Sequence, residues 1–316
     1  MLHPGRDLSN RPDFARGSVL KVDSELLHFY STPGLLTDLT GYGALLVDVP
    51  TDRTKVRRIV ASSLLHPSWA KSYRHRISAQ RSTEQQLRHA SDIAEVLNQR
   101  SMSSLVMQRS LGERAVGTCR NFTVFYVAIL RSLGIASRAR CGHASYFEKG
   151  KWVDHWVAEV WSFEQERWVR SDPQLDDHQL MSIGVDWSPD DLPPGAFLSA
   201  GECWAQIRDQ TIDPKVCGIY NMWGDWFVRS NVVRDLASLN KIELLPWDGW
   251  GLIEDWTQLG SVADNAIVDR LAEACASNDF QTVEQAFAQP GANVPNIVTS
   301  FLDSGPVKVL WTAPTK

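Results

Sequence analysis

The chain holds three residues whose types and order suit acyl transfer through a thiol: Cys119 in Gly117-Thr118-Cys119-Arg120-Asn121-Phe122, His155 in Trp152-Val153-Asp154-His155-Trp156, and Asp172 in Val169-Arg170-Ser171-Asp172-Pro173. A thiolate can attack a carbonyl, an imidazole can move the protons, and a carboxylate can hold the imidazole in its working tautomer. Taken singly, each has a plain structural reading. A cysteine near a helix start is commonly a small buried hydrophobe, a histidine between two tryptophans can be a core residue, and an aspartate before proline can be a turn former. The local structure expected around them is what joins the three.

Cys119 is expected in the first turn of a helix. Thr118 is an N-cap residue; Phe122, Phe125, Tyr126, Ile129, Leu130 and Leu133 repeat at helical spacing; and Gly134 is a C-terminal stop, so the helix should run from about Cys119 to Leu133. Unpaired backbone N–H groups and the positive end of the helix dipole favour a thiolate there, lowering a cysteine from about 8.5 to values as low as roughly 3.5 in such settings. The same N–H groups could hold the oxyanion formed on attack.

The period then changes from helical to alternating. Ser137 to Cys141 and Ala144 to Glu148 read as strands, Lys149-Gly150 as a turn, Lys151 to Trp161 as a strand, Ser162 to Arg167 as a polar turn, and Trp168 to Asp172 as the returning strand. Pairing Trp161 with Trp168 puts His155 opposite Gln174, with Asp172 one diagonal step away on the same face and within reach of the imidazole. A register shift of one residue would separate them.

With these residues on the page, the run from about Leu111 to Gln179, roughly 70 of 316 residues, resembles the core of the transglutaminase-like superfamily, relatives of papain-type cysteine proteases. The resemblance lies in Gly117, Cys119, Arg120 and Phe122 at the helix start, in Gly134-Ile135-Ala136-Ser137-Arg138, in His155-Trp156, and in Trp168 with Asp172-Pro173. It implies an α+β, papain-like fold in which a nucleophile helix packs against an antiparallel sheet, with helical N- and C-terminal additions. It also implies Cys119 as nucleophile, His155 as general base and acid, and Asp172 as its orienter. Relatives often place an indole in the oxyanion hole, and Trp69, the sole Trp before Cys119, is the candidate here. Thr118 and Trp156, beside the nucleophile and the histidine, complete the expected oxyanion or substrate contacts. The resemblance leaves open crosslinking acyltransferases, peptidases, amidases and inactive binding modules.

The rest of the chain bounds the setting. At 316 residues, with 43% hydrophobic and 22% charged residues, it can bury a sizeable core. We expect a mainly helical part at 1–110, a catalytic core with Trp-rich loops at 111–260 and a small helical appendage at 261–316, beginning near Gly260 to Ala263. Within these, helices are expected at Val56 to Leu65, Thr83 to Gln99, Ser261 to Ala276 and Thr282 to Ala288. No apolar run reaches the ~20 residues of a membrane helix, and Met1 to Gly17 has no apolar signal core. Five cysteines without a CxxC pair suit a reduced, cytoplasmic protein. Cys141-Gly142-His143 offers metal-ligand types, but no tight ligand pair anchors a zinc site, so neither metal nor cofactor is expected. His143 is expected to make at most a secondary contact near the cleft. A net charge of −5 argues against nucleic-acid binding. The locally basic stretch from Arg53 to Arg88 could dock an acidic carrier protein, though such runs are more often solvated helix faces. Seven Trp between Trp187 and Trp256 could wall a cleft or cover the core. The expected substrate is a peptide, an amide or an acyl thioester.

Overall fold

The structure, a computed structural model, describes residues 24–254, 262–277 and 279–313. The expectations for Met1 to Gly17, for Trp256 and for the start of the appendage at Gly260 lie outside these residues.

The N-terminal part is built from short helices, α1 (Ser24–Ser31), α2 (Gly43–Leu46), α3 (Arg53–Ser63), α4 (Pro67–Ala70), α5 (Ala79–Ser82) and α6 (Ala90–Arg100), with the two-residue strand β1 (Leu64–Leu65) between α3 and α4. The expected single helix at Thr83 to Gln99 is broken. Thr83–Gln86 is a 3-10 turn, Leu87 to His89 is extended, and only Ala90 onward is α-helical. The cause is tertiary. The Leu87 and Arg88 carbonyls accept hydrogen bonds from Arg120 at 3.1 and 2.7 Å, and Leu87 also from Asn121 at 2.8 Å. Those bonds hold the Leu87 to His89 backbone extended against the base of the helix that begins at Cys119.

Next come β2 (Ala115–Val116), the central helix α7 (Cys119–Ser132), and the strands β3 (Ser137–Ala144), β4 (Trp152–Ser162) and β5 (Arg167–Ser171). Thirteen of the fourteen α7 residues are buried, so an ordinary amphipathic helix has become the hub of the molecule. Gly134, at φ +74°, ends it as expected. The 137–148 region holds one strand rather than two. β3 runs through Gly142 without a break because β6 (Phe197–Ser199) lies against it so closely that a Cβ on Gly142 would meet the Leu198 carbonyl oxygen at 2.1 Å. The hairpin register is the expected one, with Trp161 opposite Trp168 and Ala158 opposite Ser171.

After α8 (Asp177–Ile183) and β6 follow α9 (Ala200–Arg208), β7 (Cys217–Ile219), β8 (Met222–Trp223), α10 (Asp225–Leu239) and β9 (Asp248–Gly249). The main sheet has the order β6-β3-β4-β7-β8, with β5 on the far half of β4; β3, β5 and β6 run antiparallel to their neighbours and β7 runs parallel to β4. One core joins α3, α6 and α7 to Ala139, Ala158 and Val160 of the sheet. A second joins α9, α10 and the C-terminal α11 (Val262–Ala276) around Trp204 and Trp250.

The C-terminal part is not helical throughout. Beyond α11 and α12 (Phe280–Phe287), strands β10 (Ile297–Leu302) and β11 (Gly305–Leu310) form a hairpin, and β10 pairs with β9 across the expected boundary at residue 260. The alternation Val298, Ser300 against Thr299, Phe301 is a strand pattern that composition-level reading of this end passed over.

Candidate active site

Cys119 opens α7. Its N-cap, Thr118, is extended (φ −85°, ψ 175°), and Asn121 Oδ1 accepts from both the Thr118 backbone N–H and its hydroxyl at 3.0 Å. The Thr118 hydroxyl is therefore committed to shaping the helix start. Arg120, fully buried, points the other way, donating to the carbonyls of Leu87, Arg88 and Glu243 and so tying three segments to the base of the helix. Gly117 has no room for a side chain, since a Cβ would meet Asn121 Cβ at 2.7 Å and Leu64 Cδ2 at 3.2 Å. The Gly-x-Cys-Arg spelling thus has a mechanical content at each position.

His155 lies in β4, and Asp172 follows the last residue of β5. His155 Nε2 and Asp172 Oδ2 are 2.8 Å apart. With Nε2 on the carboxylate, Nδ1 is the nitrogen left to serve Cys119, whose side chain contributes to the His155 shift. Burial by itself would lower the His155 pKa. The charge and hydrogen bond of Asp172, and after them the Cys119 side chain, outweigh that and push it up to about 10. Asp172 responds in the complementary direction. Burial would raise it, but the imidazolium, the His155 and Tyr146 hydrogen bonds and the Gln174 N–H hold it below the usual carboxylate range. The three side chains are close to sealed: Cys119 is 8% exposed, His155 2% and Asp172 0%.

Sequence reasoning missed Tyr146, Phe147 and His66 as neighbours of the site. Tyr146 donates its hydroxyl to Asp172 Oδ2 at 2.6 Å, from a stretch expected to be plain strand. Phe147 stands edge-on to His155 at 4.8 Å between ring centroids, and Trp187 edge-on to Tyr146 at 5.1 Å. His66 caps α4, with Nδ1 accepting from the Ser68 N–H at 3.2 Å, and its ring feels the charges of both His155 and Asp172. No motif marks these residues; folding alone brings them to the triad.

Other expected contacts fall differently. Trp156, expected at the substrate, is 1% exposed in the core that α7 covers, and its carbonyl accepts from Thr123. The alternation that brings His155 to Asp172 sends its neighbour inward. Trp69 is half-buried on α4, and among the described residues its indole makes no hydrogen bond to the triad. His143 is buried in β3 with both ring nitrogens unpartnered among the described residues, and burial lowers it to about 3. It is a neutral core residue rather than a cleft contact. Among the described residues no three His, Cys, Asp or Glu side chains converge as metal ligands. Of the expected Trp that are described, Trp204 and Trp250 fill the second core and, among the described residues, only Trp187 of that set reaches the aromatic cluster beside His155. In the basic stretch, Arg57 and Arg88 are buried against Asp190 and Asp248, and Arg81 is engaged by the Arg114 carbonyl, leaving Lys55, Arg58, Lys71, Arg74 and Arg76 exposed. No described helix is long and apolar enough to cross a membrane.

Residues 69–173 match the family model of the transglutaminase-like superfamily core. A crystal structure of a candidate cysteine protease from Cytophaga hutchinsonii aligns at 17% identity over 50% of this chain and 45% of its own length, with a TM-score of 0.30. No curated protein matches. The matched span contains Cys119, His155 and Asp172, and over it the chain is similar to the transglutaminase-like superfamily core.

Proposed function

We propose that the protein is a cysteine-dependent acyl-transfer enzyme that cleaves an amide or a thioester through a thioester on Cys119, with water as the acceptor. The observation that carries this reading is the His155–Asp172 contact of 2.8 Å beside a cysteine at the first position of a capped helix. In the first step the Cys119 thiol proton passes to His155 Nδ1, the sulfur bonds to the carbonyl carbon and the π pair moves to oxygen. The intermediate then collapses, the C–N or C–S bond breaks, and the His155 Nδ1 proton goes to the leaving amine or thiol. In the second step water adds to the thioester, its proton passing to His155, and the acid leaves as the thiol is restored. Asp172 keeps Nε2 protonated throughout, so that Nδ1 is the nitrogen that cycles. Tyr146 and the Gln174 N–H fix the carboxylate that does this.

Water is favoured over an amine acceptor because an amide-forming enzyme must guard its thioester. Trp204 and Trp250, two of the tryptophans that could provide a guard, are spent in the second core. An acidic carrier delivering the acyl group would meet Lys55, Arg58, Lys71, Arg74 and Arg76. The five free cysteines suit a reducing, cytoplasmic setting. Intact-mass analysis after adding an activated acyl thioester tests the reading. We expect an adduct on Cys119 that clears in water at a rate amines barely change. Rapid amine-dependent discharge would reassign the acceptor, and no adduct from any donor would make the cleft a binding site.

A further inference from the structure

A tetrahedral oxyanion formed at Cys119 is stabilised by donors besides the backbone there, and His66 directly follows the strand that runs beside the approach to the nucleophile. β1 and β2 run parallel, Leu64 beside Ala115 and Leu65 beside Val116, and the Gly117 N–H donates to the Leu65 carbonyl at 3.2 Å. The next residue, His66, is thereby laid alongside the Gly117-Thr118 approach to the nucleophile. From the other side, the segment following His66 is tethered to the loop beyond Asp172. Tyr73 donates to Asp176 Oδ2 at 2.6 Å, Gln179 Nε2 donates to the Tyr73 hydroxyl at 3.2 Å, and Ser72 Oγ lies 3.1 Å from His178 Nε2. The segment around His66 is thus tied to the approach to Cys119 on one side and to the loop beyond Asp172 on the other.

Its protonation is fixed as well. Nδ1 accepts the Ser68 N–H, so in the neutral ring the hydrogen is on Nε2, and among the described residues Nε2 has no hydrogen-bond partner. Burial and then the His155 charge lower the His66 pKa to about 3, against a smaller opposing pull from Asp172. The ring is therefore a neutral donor over the working pH range. A cation there would repel the His155 imidazolium.

We propose that His66 is the second oxyanion donor, presenting Nε2–H to the substrate oxygen that gains charge when Cys119 attacks, in place of the Trp69 indole three residues further on. The inference rests on the acyl-transfer reading above. No proton leaves His66. The carbonyl π pair moves to oxygen as the C–S bond forms, the Nε2–H bond to that oxygen shortens, and collapse returns the pair as the leaving group departs.

The test compares two reactions of one thiol. Acylation by p-nitrophenyl acetate passes through an oxyanion, whereas alkylation by iodoacetamide does not. His66→Ser keeps a capping oxygen for the Ser68 N–H and so keeps the local fold, while removing the donor. We expect it to slow the acylation burst about 100-fold or more and to leave Cys119 alkylation within about threefold of wild type, the scale seen when an oxyanion donor is removed. His66→Asn, which offers both a capping oxygen and an N–H, should recover at least about tenfold of that loss. Burst rates for His66→Ser close to wild type, with Cys119→Ala inactive, would overturn the assignment and leave the acyl-transfer reading standing. Equal slowing of acylation and alkylation would also overturn it, showing a structural role. A Cys119→Ala variant with a wild-type burst would remove the acyl-transfer reading itself, and this inference with it.

Discussion

Asp172→Asn isolates the charge that organises the site. The imidazole of His155 rises from 6.5 to about 10 in a buried setting, which at about 1.36 kcal/mol per pH unit corresponds to roughly 5 kcal/mol favouring the imidazolium. Burial acts against that rise, and Asp172 is the largest of the influences overcoming it, with the Cys119 side chain contributing less. Asparagine keeps the volume and removes the charge, so the His155 midpoint should fall by about 2–3 pH units, the scale of one opposite charge at hydrogen-bond distance. The sign carries through to stability. A raised histidine contributes stability that is complete below 6.5 and is lost as pH climbs through about 10. The depressed Asp172 contributes stability present above its ordinary 3.8 and lost as pH falls through its folded value. The variant should therefore lose most of the stability advantage near neutral pH and become flatter from pH 6.5 to 10. Catalytically, a free imidazole in the wrong tautomer should cost on the order of a thousandfold in acylation at pH 7. The assay is a ¹⁵N-histidine NMR titration of wild type and variant from pH 5 to 10.5, with burst rates on the same samples. A wild-type His155 that titrates near 6.5, or a midpoint that does not move in the variant, would refute the reasoning.

Three further outcomes are expected. Iodoacetamide at pH 6 should label Cys119 ahead of Cys141, Cys203 and Cys275, whose thiols burial or a neighbouring thiol raises; peptide mapping that finds Cys203 or Cys275 equally fast would count against a working thiol. Arg120→Met should lower unfolding free energy by about 3–5 kcal/mol in denaturant titration, because it strips the donors from the buried Arg88 and Glu243 carbonyls and leaves Leu87 with only its Asn121 bond; a loss under 1 kcal/mol would show those groups rehydrate freely. Gly142→Ala should push β6 off β3, with its Cβ otherwise 2.1 Å from the Leu198 oxygen, and cost at least about 3 kcal/mol; unchanged thermal stability would contradict the tight strand approach.

What the sequence by itself determined is local and periodic. The capped start of α7 at Cys119, its Gly134 stop and the phase that puts His155 and Asp172 on one face follow from neighbouring residues. Side chains repeating every 3.6 or 2 residues leave few alternatives for such elements. The Trp161–Trp168 pairing belongs here too, since the turn between them sets the register. Tertiary structure decided everything that depends on contacts between distant segments. The Thr83 to Gln99 helix broke because Arg120 and Asn121, more than thirty residues away, claimed the Leu87 and Arg88 carbonyls. The 137–148 region became one strand because β6 crosses at Gly142, and the C-terminal hairpin formed against β9 rather than as an isolated appendage. Trp156 went to the core, and Tyr146 and His66 came to the triad, through pairings that local residue patterns did not reveal. Hydrogen bonds and burial between remote segments are long-range choices, made only when the whole chain has closed around α7.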